Sequence, residues 1–347
     1  MRATAEPAGS TPRRSARVAG YAWRALLPIA AVAAILAVLP PLWFGDSPFT
    51  TSLAVKALVF ASYGIGFNLI FGSTNQLFLC VGALAGIGGY GAAILSDRTS
   101  LSIWAGIAVG TASAAIVGGL LSWIAVRRSL GVIFTGIVTL VFSLAFANLL
   151  LGQRDLTGAE TGLVLTDGAV KLADDRVAAY YLFAGVLVGC LIVFRVLQLS
   201  HIGWAFRGLR DDEVAAELAG VDVARYRIYA ATVGSAMIGL TGALYAYSVG
   251  FIQPATYAFD QVDVRVLVLT AFGGLGTLLG PVIGAAVFAF VDEELSSSLE
   301  LRELFYGIFV ISIFLFFRRG VVQTVVGLFN RALARGRGKP TLQPSRE

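Results

Sequence analysis

Charged side chains are scarce in this chain. Aspartate, glutamate, lysine and arginine make up only 14% of its 347 residues, where a soluble domain carries roughly a quarter. Histidine occurs once (His201) and cysteine twice (Cys80, Cys190). Both cysteines lie inside apolar runs and read as small buried hydrophobes, which excludes a disulfide framework and a Cys/His metal cluster. One histidine and two separated cysteines also leave no nucleophile–base pair, so no catalytic residue and no metal ligand is assigned and an intramembrane enzyme has little chemistry to use. A phosphate loop is absent too. The glycine-rich stretch "GGLGTLLG" (273–280) lacks the G-K-[ST] ending and follows an apolar run, so no nucleotide cofactor is expected in this chain. Ionisable residues are almost missing from the middle of the apolar runs, which counts against a secondary transporter driven by an ion gradient.

What the chain has in abundance is apolar length. It is 57% hydrophobic, and the apolar residues gather at about 26–44, 53–71, 76–95, 101–126, 130–151, 178–197, 228–249 and 303–317, runs near the length that crosses a bilayer. This is an integral membrane protein with the lipid bilayer as its surroundings. The first run has no A-x-A-like site after it and reads as an uncleaved span. The net charge of +5 does not indicate nucleic acid. Arginines cluster at the two ends (Arg13, Arg14, Arg17, Arg24; Arg318, Arg319, Arg331, Arg335, Arg337), as the positive-inside rule predicts for cytoplasmic tails. The expected organisation is a basic N-terminal tail (1–25), a transmembrane domain (26–320) and a basic C-terminal tail (321–347).

Residues 262–291 decide the topology. Gly273, Gly274, Gly276, Gly280 and Pro281 break the run at its middle. As a single span it would place Arg318 and Arg319 outside. As two shorter helices meeting at a cytoplasmic glycine turn, it returns the basic tail to the cytoplasm. The resulting expectation is all-α, with about ten membrane-embedded helices and both termini cytoplasmic. External basic residues are then few: Arg98, Arg154, Lys171, Arg176 and Arg302.

Against this background "RDDEVAAELAGVDVARYR" (210–227) is conspicuously charged. Residues 211–219 read as a short helix, about 14 Å long at 1.5 Å per residue, within a cytoplasmic segment 198–227. Asp211, Asp212 and Glu213 occupy its first turn, Gly220 is its C′ residue and Asp222 caps the helix that follows. Val214, Leu218 and Val221 form an apolar edge, while Ala215, Ala216 and Ala219 keep the surface low. Two readings fit: a connector lying on the headgroups, or a docking element for a cytoplasmic partner. In the second, Arg207, Arg210, Asp211, Asp212, Glu217, Arg225 and Arg227 set the register. The acidic polar face favours docking, because anionic lipid would repel it.

Uncharged amides form a second group. Asn68, Asn75 and Gln76 surround Gly72 where two apolar runs join, and they either bond between helices or line a pathway, because unsatisfied amides at membrane depth are costly. Together with Gly273, Gly274 and Gly276 they are the translocation-pathway candidates. The glycine turn itself is either a packing turn or a gate. Asp263 and Arg265, near the outer mouth, are expected to find charged partners or to meet an extracytoplasmic protein. His201, beside Trp204, reads as interfacial. The glycines of "GIGGYGAA" (86–93), with Gly106 and Gly110, suit close helix packing.

The stretch "GWAFRGLRDDEVAAELAGVDVARYRIYAATVGSAMIGLTGALYA" strongly resembles the permeases of branched-chain amino acid ABC importers, LivM type. "FNLIFGSTNQLFL" (67–79), "LTGAETGL" (156–163), "GGLGTLLGPVIGA" (273–285), "RELFYGIFVI" and "FRRG" reinforce the likeness, which covers roughly residues 55–325. The resemblance implies a bacterial inner-membrane subunit that pairs with a second permease. It further implies two cytoplasmic ATP-binding subunits, which hold ATP and Mg, and a periplasmic or lipid-anchored substrate-binding protein. Glu213, Ala215, Ala216, Glu217 and Gly220 match the family's EAA-like coupling segment. Relatives commonly carry Gly-His where this chain has Phe78-Leu79-Cys80-Val81, and a glutamate near Arg265. Urea, short amides and other small polar solutes therefore stand as alternative substrates beside branched-chain amino acids.

Overall fold

The computed structural model describes residues 27–39, 48–98, 102–165, 176–296 and 307. The two basic tails, the expected span 303–317 and the motifs beginning at Arg302 lie outside the described residues, apart from Gly307. Helices dominate: α1 (Leu27–Leu39), then α2 (Pro48–Thr74), α3 (Val81–Arg98), α4 (Ile103–Arg127), α5 (Val132–Gly152), α6 (Arg154–Thr157), α7 (Arg176–Leu199), α8 (His201–Asp211), α9 (Glu213–Leu218), α10 (Val223–Val249), α11 (Asp263–Gly273) and α12 (Gly280–Ser296). By length and composition α2, α4, α5, α7 and α10 can cross a membrane, and α1, α3 and α12 are shorter apolar helices.

α10 and α2 form the centre. α10 packs on α4, α3 and α2, and α2 packs on α7, α11 and α12. Burial follows: 67% of the apolar window of α2 is inside the protein, against 22% for α5. The outer side of α5 carries Ile133, Phe134, Ile137, Val141 and Leu144, all exposed. Those five side chains have no polar atoms to offer water and suit hydrocarbon or another apolar helix. Small residues set the spacing at the centre. A Cβ on Gly88 would overlap the carbonyl of Gly239, and one on Gly110 would overlap the carbonyl of Gly88, so α3, α4 and α10 meet backbone to backbone. Gly88→Val is expected to destabilise the protein by about 2 kcal/mol or more, because rigid helices rather than side chains must part. Thermal unfolding in detergent checks this, and an unchanged midpoint would show that the contact is not tight.

One region departs from the sequence expectation. The apolar run 76–95 does not start as helix: α2 ends at Thr74, Asn75 follows in the left-handed region at φ 57°, and α3 begins only at Val81. Hydropathy reports depth, and a buried irregular segment is as apolar as a buried helix. Residues 76–80 therefore need partners for their backbone from elsewhere in the protein. Thr139 of α5 accepts the N–H of Leu79 at 2.9 Å.

After α5 "LTGAETGL" (156–163) becomes a compact corner. Gly158 and Gly162 take positive φ angles of 71° and 74°. Between them lies a turn of 3₁₀ helix, and Leu163–Val164 (β1) then pairs antiparallel with Phe251–Ile252 (β2). This two-residue ladder is the only strand pairing among the described residues.

Candidate functional site

The charged segment is two helices. Asp211 is the last residue of α8, and Asp212 has extended backbone (φ −158°, ψ 110°). The expected helix 211–219 is therefore corrected to Glu213–Leu218, about 9 Å long. Asp212 is its cap, accepting the N–H groups of Val214 and Ala215 at 3.0 and 3.1 Å, a role that needs the extended backbone that ends α8. Gly220 follows at φ 86°, where a side chain would be strained. Asp222 then caps α10 through the N–H of Arg225 at 3.0 Å, while the Arg225 side chain is exposed.

Within α9, only Ala216 faces inward, against Gly208 of α8. Ala215 and Glu217 are exposed, as are Val214 at 65% and Leu218 at 85%, leaving an apolar edge that nothing in this chain covers among the described residues. Glu213 points back. Its carboxylate takes a two-pronged ion pair from Arg227, with Oε1 and Oε2 each 2.8 Å from a guanidinium nitrogen. Arg227 is thus the residue that fastens α9 to the start of α10. Sequence alone placed it only among flanking charges, because its partner lies 14 positions away on another helix. The two-pronged geometry is the stronger form of such a pair.

α8 lies between α9 and the membrane helices. Its inner face is Gly203, Ala205, Phe206 and Leu209. Its outer face carries Trp204, 70% exposed, with the Arg207 guanidinium 4.5 Å above the ring. Beside α8 opens a cavity of about 390 Å³, lined by Arg195, Arg207 and Arg210 and by the backbone at Gly72 and Gly276.

Gly276 belongs to the turn between α11 and α12. The segment 262–291 is helical to Gly273, turns through Gly274 (φ 112°) and Gly276 (φ 74°), and resumes as α12 at Gly280. Any side chain at 276 would collide with the Arg210 guanidinium, so α8 rests on this turn. From the other side the turn is held by Asn68 of α2. Asn68 Oδ1 accepts the Gly276 N–H at 2.6 Å, and Asn68 Nδ2 donates to the Thr277 carbonyl at 2.8 Å. Thr277 closes the turn on itself, donating to the Gly274 carbonyl at 2.7 Å and accepting the Gly280 N–H at 3.1 Å.

The pathway candidates therefore separate. Asn68 is bonded to the turn that holds Gly273, Gly274 and Gly276, and the guanidinium of Arg210 lies against Gly276. Asn75 is exposed at the end of α2, and Gln76 is buried, accepting from the Ser122 hydroxyl at 2.9 Å. Asn68 bonds the turn between α11 and α12, and Gln76 bonds α4 from the segment that joins α2 to α3.

Asp263 was expected to meet another charge or an outside protein. It is instead 1% exposed and accepts the N–H groups of Val81 and Gly82, with Ser143 Oγ donating at 3.3 Å. The carboxylate sits at the start of α3, where free N–H groups and the helix dipole favour a negative charge. Sequence reading missed this because the partners are 182 and 181 positions apart. Among the described residues no group of three or more His, Cys, Asp or Glu side chains is assembled that could hold a metal ion.

A family model described as "Branched-chain amino acid transport system / permease component" matches residues 49–316. The high-affinity branched-chain amino acid transport system permease protein LivM of Escherichia coli K12 is 29% identical over 288 residues, 75% of this chain and 67% of that protein. LivM of Salmonella typhimurium is 28% identical over 273 residues, 71% of this chain and 63% of its own length. The chain thus spans about two thirds of the length of these relatives. The autoinducer 2 import system permease protein LsrC of Yersinia enterocolitica is 24% identical over 280 residues, 78% of this chain and 74% of that protein. No solved structure matches the chain. The family match starts at the second residue of α2, runs past the end of α12 and takes in every helix described above except α1: this chain belongs to the branched-chain amino acid transport system permease component family.

Proposed function

We propose that the chain is one permease subunit of a bacterial inner-membrane ABC importer for branched-chain or related amino acids. It has about ten membrane-embedded helices, with α11 and α12 as a broken hairpin, and both termini are cytoplasmic. It forms the pathway with a second permease and receives solute from a periplasmic or lipid-anchored binding protein. Two cytoplasmic ATP-binding subunits drive it. They hold ATP and Mg and hydrolyse the nucleotide, and this chain has no catalytic activity of its own.

The observation that carries this reading is α9: a six-residue helix with an uncovered apolar edge (Val214, Leu218), pinned from behind by Glu213–Arg227 and connected through Arg210 to the turn at Gly276. A rigid knob of that kind transmits a push, whereas a connector floating on headgroups would present its apolar edge to lipid and need no such fastening. Arg210, Asp211, Asp212, Glu213, Ala215, Ala216, Glu217, Gly220 and Arg225 make up the coupling segment, with Arg227 added by the geometry. A second reading, import of urea, short amides or another small polar solute, draws on the relative named for autoinducer 2 import. An ion-coupled secondary transporter stands behind both.

Retention of the ATP-binding subunits by the solubilised complex tests the proposal, together with ATP-driven uptake of labelled L-leucine. Val214→Asp/Leu218→Asp alters only exposed side chains and is expected to lower retention and uptake at least about tenfold, as loss of a central apolar anchor does. Glu213→Ala/Glu217→Ala/Gly220→Arg is expected to act in the same direction. Equal retention by all variants would sink the docking role. Uptake that needs an ion gradient rather than ATP would replace the importer reading.

A further inference from the structure

A second cavity, of about 500 Å³, lies toward the other end of α2 from the coupling segment, and none of the expected pathway residues lines it. Four aromatic rings line it: Phe60 and Tyr63 from α2, Tyr245 from α10, and Tyr257 from the segment before α11. Tyr63 and Tyr257 are buried, at 3% and 4% exposure. Two cations line it, Lys56 and Arg265, and the only carboxylate among the lining residues is Asp260. None of the three forms an ion pair among the described residues. Arg265 donates to the side-chain oxygen of Gln261 at 2.9 Å, and the amide nitrogen of Gln261 donates to Asp260 at 2.7 Å, so a neutral amide stands between the two charges. Lys56 sits in the first third of a helix otherwise apolar enough to span the bilayer. A cation in that position is costly unless it faces a water-filled space or a partner charge.

We infer that this cavity receives the carboxylate of a small solute between Lys56 and Arg265, with the solute's apolar part against Phe60, Tyr63 and Tyr245. The inference rests on the importer reading for the delivery of that solute. The shape favours a free solute over a carboxylate side chain of a docked binding protein. The cavity is within the range of small-molecule sites, and its buried aromatic walls would be left wet by a single Asp or Glu tip. The charge favours a carboxylate over an uncharged amide or urea, which would leave both cations without an ion-pair partner among the described residues. Amino acids, and not the neutral solutes of the second reading, are the matching class.

The test uses an introduced thiol. Cys80 and Cys190 are both buried, so Thr256→Cys on the cavity wall is the reactive cysteine to read in the full assembly in membranes. An anionic methanethiosulfonate reagent is expected to label it about tenfold faster than a cationic one, as a cationic cleft focuses anions. Lys56→Gln/Arg265→Gln should abolish the preference. Millimolar L-leucine should slow labelling, whereas L-leucinamide and urea should not. Absence of the charge preference, protection by urea equal to that by L-leucine, or protection only by the binding protein would each overturn the inference. The last outcome would assign the cations to binding-protein docking. Charge preference and L-leucine protection without ATP-driven uptake would leave the cavity inference standing and sink the importer reading instead.

Discussion

Asp263→Leu is expected to remove most of the folded protein from the membrane fraction, and Asp263→Asn much less. The carboxylate is buried and accepts the N–H groups of Val81 and Gly82 and the hydroxyl of Ser143. These N–H groups open α3 directly after the non-helical residues 76–80, and at membrane depth no bulk water replaces a lost acceptor. An unsatisfied buried donor costs about 1–3 kcal/mol, so two of them plus the hydroxyl amount to about 3 kcal/mol or more. Asparagine keeps one acceptor oxygen in the same place and gives up only the charge that favours a helix start. Gel filtration of detergent-solubilised protein after graded heating measures the order, wild type above Asn above Leu. Leucine equal to wild type would show that α3 does not depend on the carboxylate. The same geometry bears on ion coupling. An acid at membrane depth is the usual sign of an ion relay, but the oxygens of Asp263 are already bonded to backbone and serine.

Much of this was readable from the chain, and the limits have physical causes. α4, α5, α7 and α10 fall within a few residues of their apolar runs, because a span must be both long and apolar. The break at 273–280 was legible because glycine and proline act through their own backbone. Gly220 and Asp222 were legible for the same reason, since caps are local. The start of α3 was not. Leu77 to Cys80 are apolar in a non-helical segment and would be equally apolar in a helix, and the choice depends on Thr139 and Asp263. The boundary between α8 and α9 was missed by two residues, because Asp211 and Asp212 are chemically identical and only the backbone distinguishes helix end from cap. The roles of Asn68 and Arg227 depend on partners on other helices, and no local pattern in one sequence encodes those.

Asn68→Leu is expected to leave the ATP-binding subunits attached and hydrolysing while ATP-driven uptake falls at least about tenfold. On the proposed coupling role, a push on α9 passes through the Asp212 break into α8, and Arg210 carries it to the turn at Gly276. The turn moves the rest of the permease only if it is joined to the central helix α2, and Asn68 provides that joint through bonds of 2.6 and 2.8 Å. A tenfold change in a two-state balance needs only about 1.4 kcal/mol of differential stabilisation, within reach of two part-buried hydrogen bonds at about 0.5–1.5 kcal/mol each. Asn68→Asp separates the two. It keeps an acceptor for the Gly276 N–H but loses the donor to Thr277, so it should fall between leucine and wild type. Gly276→Ala should resemble Asn68→Leu by a different route, since its Cβ would displace the Arg210 guanidinium and strain a backbone held at φ 74°. Uptake and ATP hydrolysis measured on the same proteoliposomes decide the matter. If both fall together in Asn68→Leu, the residue supports attachment of the ATP-binding subunits rather than transmission. If neither falls, the push does not travel through the glycine turn.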